Sequence, residues 1–235
     1  MRIEVLFDES CNLFGDGQNV TYLKATLPQA EFIHTKLTDI PYFAQNDPDM
    51  IYIGSMSEAI QRRVLEKLLP LKARIEALIE KGTLILATGN AAELFCAKLH
   101  YVTEDITVDG LGIFDLEVKT DLFARYNGKV IGTFQDIKVV GFRSQFSMIY
   151  GNNENEYFLK CDRGIGINPT STLEGMRKNN LICTQLLGPI LPLNPLLCEA
   201  LLALIGETVE AAYRQSAMDA YEQRVKEFSD PVVPC

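Results

Sequence analysis

The sequence has no tryptophan and only two histidines, and the second shortage limits the chemistry to expect. Catalytic triads, general acid/base pairs and metal sites usually draw on histidine. Such a site in this chain must use His34 or His100, or do without an imidazole. The chain has 22 Lys and Arg against 31 Asp and Glu, a net charge of -9, and no dense basic run. Because such a chain repels phosphate groups, we expect no nucleic-acid or membrane partner.

Long apolar runs and paired cysteine motifs are also missing. Residues 1–8 carry acids inside their apolar run and lack the core of a signal peptide. Residues 186–205 are the most apolar later stretch, but prolines and polar residues interrupt them, which argues against a spanning helix. The six cysteines show no C-x-x-C spacing. We therefore expect free thiols in a cytoplasmic protein, without disulfides or zinc ligands.

The residues that are present describe an ordinary globular chain. At 235 residues, 47% hydrophobic and 23% charged, it is long enough for one substantial core. Strand-like segments alternate with helical patterns, and Pro70 is expected to split one long helical segment in two. This alternation predicts an α/β fold, with a mostly parallel sheet and helices on both faces. The predicted strands of that sheet are residues 2–7, 31–35, 50–54, 83–87 and 181–185.

The second half of the chain changes character. Residues 101–160 contain short β-rich pieces separated by Gly and Asn, which indicate extra strands at the edge of the same domain. Asn194 is a natural N-cap with Pro195 at the first helical position. A final helix is predicted over about residues 207–228. We expect one domain over residues 1–205 and a C-terminal helical appendage over residues 206–235.

A glycine turn follows the predicted central strand at residues 83–87. Thr88, Gly89 and Asn90 come directly after it, and a helix is predicted over residues 91–99. A strand, a tight turn and a helix in sequence form an elbow at the carboxyl edge of an α/β sheet, where ligand sites concentrate. Glycine tolerates the positive φ that such an elbow requires.

Several segments, in order, carry a resemblance to a known family. They are the loop Asn12-Leu-Phe-Gly-Asp16, the turn Gly110-Leu-Gly-Ile-Phe-Asp115, the run Val140-Gly-Phe142 and the loop Leu186-Leu-Gly-Pro-Ile-Leu-Pro-Leu-Asn-Pro195. Over residues 1–205 the chain resembles the class I glutamine amidotransferases of the cobyric acid synthase type, in particular the glutaminase subunits of lipid II isoglutaminyl synthases. The resemblance implies a flavodoxin-like fold. It also implies glutamine hydrolysis by a Cys-His pair, with the ammonia passed to a Mur-ligase-like partner.

The same resemblance implies that the hydrolytic residues have been replaced. The family's nucleophile falls at Gly89, and the histidine that precedes the Gly-Pro of the C-terminal loop falls at Leu187. The segment after Val-Gly-Phe reads Arg143-Ser-Gln145 without a histidine, and the glycine-rich oxyanion loop is reduced to Gly54-Ser-Met-Ser57. Because a nucleophile and its base act as a unit, losing both removes Cys-His hydrolysis.

The leading interpretation is therefore a protein of this fold without glutaminase activity. It predicts a binding or regulatory subunit for a Mur-ligase-type amidating partner in cell-wall metabolism. The retained pocket is expected to bind a small amide or carboxylate, and no cofactor or metal is expected. The predicted pocket residues are Gly54, Ser55, Thr88, Gly89, Asn90 and Gln145.

Two alternatives stay open. The first is a divergent enzyme whose chemistry has moved to carboxylates or a thiol near Thr88 and Asn90 at the same edge, with Cys11 as a candidate thiol. Asp8, Glu9 and Asp16 are also candidate ligands for a hard cation such as Mg²⁺. The acids beside Cys11 would raise the pKa of its thiol, which argues against a nucleophile there. The second is an active amidotransferase whose nucleophile aligns elsewhere. Cys96, expected on the elbow helix, and Cys183, expected on a buried strand, are interpreted as core residues.

Overall fold

The structure, a computed structural model, describes residues 1–232. Its strands, in chain order, are β1 (Arg2–Leu6), β2 (Glu31–Thr35), β3 (Met50–Ile53), β4 (Leu84–Thr88), β5 (Cys96–Tyr101), β6 (Ile106–Asp109), β7 (Phe114–Thr120), β8 (Tyr126–Phe134), β9 (Ile137–Gln145), β10 (Ser147–Tyr150), β11 (Leu159–Arg163), β12 (Leu173–Glu174), β13 (Met176–Lys178) and β14 (Leu181–Thr184). Its α-helices are α1 (Gly17–Thr26), α2 (Glu58–Leu68), α3 (Lys72–Lys81), α4 (Ile190–Leu193), α5 (Pro195–Ala203) and α6 (Arg214–Ser229).

The central sheet has the strand order β13-β14-β4-β3-β1-β2. Its strands pair in parallel, except that β13 runs antiparallel to β14 at the edge. In this register Ile53 lies opposite Ala87, and Thr88 lies opposite Thr184. The carboxyl ends of β3, β4 and β14 therefore meet at one edge, as the sequence pattern predicts.

Alternating apolar side chains bind helices to both faces of this sheet. On β4, Ile85 and Ala87 share a buried cluster with residues of α2 and α3. Leu84 and Leu86 point to the other face and share a second cluster with residues of α1 and α5. A parallel strand covered on both faces has to be apolar throughout, which accounts for the run at residues 84–87. The predicted α/β architecture is confirmed.

Local signals set the ends of the helices on one face. The Ser57 side chain accepts a hydrogen bond from Ile60 N at 3.4 Å and caps α2. A 3-10 helix at Leu69–Leu71, which contains Pro70, separates α2 from α3 as predicted. Gly82 ends α3 in the left-handed region, with φ +91°.

The predicted helix over residues 91–99 is wrong. A 3-10 helix at Gly89–Phe95 follows β4, and β5 begins at Cys96. The residues from Ala91 to Phe95 are buried, so this segment has no polar face to turn toward solvent, as an amphipathic helix would. The backbone of β5 instead pairs with β6 and β7. Cys96 and His100 therefore lie on a strand, and tertiary pairing has overridden the local pattern.

The β-rich segment forms sheets of its own rather than extending the central sheet. One four-stranded sheet has the order β10-β7-β5-β6, and the other has the order β12-β11-β8-β9. The longest pairing joins β8 to β9 as an antiparallel hairpin from Tyr126↔Gln145 to Phe134↔Ile137. The sheet that contains β9 brings residues 143–145 to the carboxyl edge of the central sheet. There Phe142 forms an isolated antiparallel β-bridge with Leu187.

The C-terminal helix begins at Arg214 rather than near residue 207. Its buried face packs on the β8–β9 hairpin. The Tyr221 hydroxyl donates to the Lys138 carbonyl at 2.7 Å, and the Phe228 ring meets the Phe142 ring edge-on with centroids 5.4 Å apart. The division at residue 205 stays a prediction, and residues 233–235 of the predicted appendage lie outside the described residues.

Two further expectations concern membranes and thiols. Within residues 1–232, no helix combines the length and the apolar character needed to cross a membrane. The five cysteines in the described part of the chain are buried free thiols. Cys235 lies outside it.

Candidate functional site

Gly89 forms the elbow directly after β4. Its φ is +58°, the left-handed conformation that glycine adopts without strain. A β-carbon built at this position would lie 2.6 Å from Ser55 Cβ and 3.0 Å from Leu187 Cδ2. A side chain at position 89 therefore requires its neighbours to move.

Leu187 closes the other side of the elbow. It is 4% exposed and pairs with the β9 backbone through two hydrogen bonds. Phe142 N donates to Leu187 O at 3.0 Å, and Leu187 N donates to Phe142 O at 2.8 Å. The apolar side chain is thereby held against Gly89.

A cavity of about 110 Å³ opens beside these two residues. Four of the predicted pocket residues line it, namely Ser55, Gly89, Asn90 and Gln145. The other two lie behind its wall. A β-carbon on Gly54 would clash with the Cys11 carbonyl oxygen, and Thr88 is fully buried. The lining of the cavity also includes Leu13, Phe14, Met56, Ser57, Glu58, Glu93, Ser144, Phe146, Ser147, Gln185 and Leu187.

Asn90 ties the elbow to the loop after β3. Its Oδ1 accepts from Met56 N at 2.9 Å, and its Nδ2 donates to Met56 O at 2.7 Å. The Asn90 carbonyl accepts a further bond from Gln61 Nε2 at 2.8 Å. These bonds set the width of the cavity at this side, since they hold the two loops at a constant separation.

Asp16 holds the loop after β3 from the side that faces away from the cavity. Its Oδ2 accepts from Ser55 N at 2.9 Å and from Thr88 Oγ1 at 2.7 Å, and its Oδ1 accepts from Asn19 Nδ2 at 3.2 Å. The carboxyl is fully buried. Burial raises its pKa, and the hydrogen bonds from Ser55, Thr88 and Asn19 act in the opposite direction. Asp16 therefore orders the loop behind the cavity.

The acids proposed as cation ligands separate in space. Asp8 pairs with His34, and Glu9 accepts from Leu37 N at 2.8 Å, whereas Asp16 is buried under the elbow. Across residues 1–232, no group of three or more His, Cys, Asp and Glu side chains is arranged to hold a metal ion. The structure does not support the metal alternative at these acids.

Glu93 is a cavity residue that the sequence patterns did not predict. It is buried and lines the cavity. Its carboxylate accepts from Gln61 Nε2 at 2.8 Å, from Gln185 Nε2 at 3.0 Å and from the Ser147 hydroxyl. Burial raises its pKa to about 7, against these three bonds. The signal in the sequence was a single charge inside the apolar run 91–95.

A second buried charge lies next to this network. Arg143 Nη2 contacts Glu174 Oε1 at 3.3 Å, and both side chains are fully buried. Glu174 also accepts from Thr184 Oγ1 and from Gln185 N, each at 2.9 Å. Burial raises the pKa of Glu174, and the charge of Arg143 is the largest opposing effect. This pair therefore joins β9, β12 and the segment after β14 into one polar network.

The thiol alternative gains no support from the geometry. Among the described residues, no cysteine or histidine lines the cavity. Cys11 is buried, and burial followed by the charges of Glu9 and Asp8 raises the pKa of its thiol to about 12. Cys96 and Cys183 are fully buried, and burial raises their pKa values well above the usual range. A raised pKa removes the thiolate that a nucleophile needs.

A mostly parallel sheet with a glycine elbow and a cavity at its carboxyl edge is the architecture expected of a glutamine amidotransferase-like protein. Residues 2–194 match the CobB/CobQ-like glutamine amidotransferase domain, and the chain belongs to that family. It is 28% identical over 205 residues, covering 83% of this chain and 79% of the relative, to the lipid II isoglutaminyl synthase (glutamine-hydrolyzing) subunit GatD of Staphylococcus aureus strain N315.

Two solved structures show the same fold. PurLQS from Thermotoga maritima matches with a TM-score of 0.52 at 12% identity, over 95% of this chain and 98% of that one. A crystal structure of a glutamine amidotransferase matches with a TM-score of 0.55 at 14% identity, over 87% of this chain and 99% of that one.

Proposed function

We propose that this chain is a glutamine amidotransferase-like subunit that does not hydrolyse glutamine. The observation that carries the proposal is the packing at the elbow. A β-carbon at Gly89 would overlap Ser55 and touch Leu187, so the position assigned to the nucleophile by resemblance admits a side chain only if these neighbours move. The position assigned to the base holds the apolar Leu187. A Cys-His mechanism has neither group, and each contributes several orders of magnitude in rate.

We further propose that the chain acts as a binding or regulatory subunit for a Mur-ligase-like amidating partner in cell-wall metabolism, in the cytoplasm. The support is the similarity to GatD, whose name describes a subunit of lipid II isoglutaminyl synthase. A subunit that has lost its own chemistry keeps its fold under selection when the fold positions or regulates a partner. The retained elbow, loops and cavity agree with such a role.

One observation favours a second candidate, an enzyme with relocated chemistry. The Ser147 hydroxyl donates to the buried Glu93 carboxylate at the wall of the cavity. A hydroxyl beside a carboxylate of raised pKa is an arrangement used in acid/base catalysis. Loss of a measured hydrolytic activity in Ser147→Ala and Glu93→Gln, but not in Ser216→Ala on α6, would establish this candidate.

The direct test is ammonia release from glutamine by the purified chain, alone and with the Mur-ligase-like protein of the same organism. We expect no release above buffer and co-elution of the two proteins on size exclusion. A rate comparable with that of a glutamine-hydrolysing relative contradicts the loss of activity. Separate elution at micromolar concentrations contradicts the partner role.

A further inference from the structure

The wall of the cavity carries acids but no bases. Glu58 and Glu93 line it, and no Lys, Arg or His among the described residues does so. The buried Arg143, one residue before the lining residue Ser144, is paired with Glu174 through Nη2. Its Nε and Nη1 have no hydrogen-bond partner, but Arg143 is not among the residues that line the cavity. The charge of the lining therefore favours a cation over an anion.

Two amide oxygens at this wall have no hydrogen-bond partner. They are Gln145 Oε1 and Gln185 Oε1, and both atoms are buried. Gln185 is 2% exposed, so its oxygen can gain a donor only from a molecule that enters the cavity. A buried acceptor without a donor costs free energy, which a bound donor would recover.

The orientation of both amides is determined by their nitrogen atoms. Gln145 Nε2 donates to the Ser147 carbonyl, and Gln185 Nε2 donates to Glu93 Oε1 at 3.0 Å. Rotating the Gln145 amide by 180° would place its oxygen against the Ser147 carbonyl oxygen, and rotating the Gln185 amide would place its oxygen against the ionised Glu93 carboxylate. The unpaired atoms are therefore hydrogen-bond acceptors, and a ligand that satisfies them must donate hydrogen bonds.

We propose that this cavity binds a small cation that donates N–H hydrogen bonds, either ammonium or a primary alkylammonium group. Its donors would meet the two amide oxygens, and its charge would be balanced by Glu58 and by the ionised form of Glu93, which a bound cation favours. A volume of about 110 Å³ accommodates a group of this size, because one water needs only about 10–15 Å³ by the same measure. The inference deepens the proposed function and rests on it, since it names what the cavity of a non-hydrolysing subunit holds.

One basic side chain at the rim provides an internal comparison. Arg125 is exposed, donates to Ser144 Oγ at 2.7 Å and lies over the Phe146 ring at 5.5 Å. It contacts two lining residues without lining the cavity itself. If the occupant were a carboxylate, Arg125 would be its natural counterion. Removing its charge therefore separates a bound cation from a bound anion.

The test is a titration of the full chain, followed by amide chemical shifts in NMR spectra. The probes are ammonium chloride and methylammonium chloride, with sodium chloride at equal ionic strength as reference. Tetramethylammonium chloride has the same charge without N–H donors, and sodium acetate supplies the anion. We expect saturable shifts at residues that line the cavity for the first two probes only. Absence of saturation, or tighter binding of acetate, would overturn the inference.

Variants locate the site. Gln145→Leu and Gln185→Leu should each weaken methylammonium binding about tenfold, because a hydrogen bond to a charged donor is lost. Gln215→Leu, on the exposed side of α6, should leave it unchanged. Arg125→Gln should leave it unchanged or tighten it, and weaker binding in this variant would point to an anion instead.

A second variant and two separate assays distinguish the possible outcomes. Gln145 is half-buried, so Gln145→Leu carries the test if Gln185→Leu does not fold. Ammonia release and co-elution with a ligase are measured separately. If methylammonium does not bind, while the chain releases no ammonia and still co-elutes with the ligase, the inferred ammonium site is wrong and the proposed function stands. Ammonia release overturns the proposed function alone.

Discussion

Gly89 and Leu187 lie side by side, so that a β-carbon on Gly89 would be 3.0 Å from Leu187 Cδ2. They are 98 residues apart in sequence and come from segments that follow neighbouring parallel strands, β4 and β14. The resemblance assigns these two positions to a nucleophile and its base. Their contact supports that alignment, and the lack of a thiol at Gly89 and of an imidazole at Leu187 supports the proposal that hydrolysis has been lost.

The first prediction concerns the space at the elbow. Gly89→Ala should lower the free energy of unfolding by about 1–3 kcal/mol more than Gly15→Ala, because both glycines have positive φ but only Gly89 has close neighbours. Urea denaturation measures the difference. Ser55→Gly should recover part of the loss in the Gly89→Ala background, since it removes the atom at 2.6 Å. Equal losses at Gly89 and Gly15 would contradict this account.

The second prediction concerns the pH dependence of stability. Burial raises the pKa of Glu93 from 4.5 to about 7, so the folded state holds this proton more tightly than the unfolded state. The resulting stability is fully present below pH 4.5 and is lost as the pH rises through 7. Glu93→Gln lacks this titration. Relative to the variant, the wild type should therefore lose up to about 3 kcal/mol between pH 4.5 and pH 8.

Urea denaturation at several pH values measures this difference. Glu4, Asp16 and Glu174 also have raised pKa values, but they are present in both proteins and cancel in the comparison. Glu117→Gln, on the exposed side of β7, is the matched control for the substitution. A difference between wild type and Glu93→Gln that does not change with pH would show that Glu93 does not titrate in this range.

The third prediction concerns the buried ion pair. Arg143→Met should destabilise the fold by about 3–5 kcal/mol, because it leaves the fully buried Glu174 without its counterion. Arg143→Met with Glu174→Leu should cost less than the sum of the single changes. Lys138→Met breaks an exposed pair with Asp162 and should cost less than about 1 kcal/mol. Additive effects at Arg143 and Glu174 would show that the two charges are not coupled.

The fourth prediction concerns Asp16. Asp16→Asn replaces one acceptor by a donor that faces Ser55 N–H or Asn19 Nδ2, so we expect a loss of about 1–3 kcal/mol. Asp115→Asn on the exposed face of β7 should change stability by less than about 0.5 kcal/mol. Amide exchange at Ser55 should accelerate in Asp16→Asn. Unchanged exchange there would mean that the carboxylate does not hold the loop.

Much of the central sheet was predictable because its signals are local. Buried apolar runs mark β3, β4 and β14, Pro70 separates α2 from α3, and Pro195 begins α5, although the Asn194 side chain bonds the Val140 backbone of β9 rather than capping that helix as predicted. Each signal depends on backbone geometry or on burial of both strand faces, which neighbouring residues express directly. The same locality located the elbow at Gly89.

The cavity was only partly predictable. Ser55, Asn90 and Gln145 were expected there, whereas Glu93 and Gln185 were not. The expected helix over residues 91–99 would have carried Glu93 away from the edge. The observed 3-10 helix and β5 instead place its carboxylate against Ser147, which is 54 residues further along the chain. The position of Glu93 depends on strand pairing between distant segments, and the pattern of neighbouring residues carries no information about that pairing.

By itself, the sequence determined the α/β architecture, the glycine at the elbow and the absence of a cysteine or histidine at positions 89 and 187. Composition, periodicity and turn residues are properties of neighbouring residues, so they can be read without coordinates. The tertiary structure alone decided that Ser55 and Leu187 close the space beside Gly89, and that two amide oxygens and two acids share one cavity. Those relationships join segments from distant parts of the chain, and only the packed sheets bring them within contact distance.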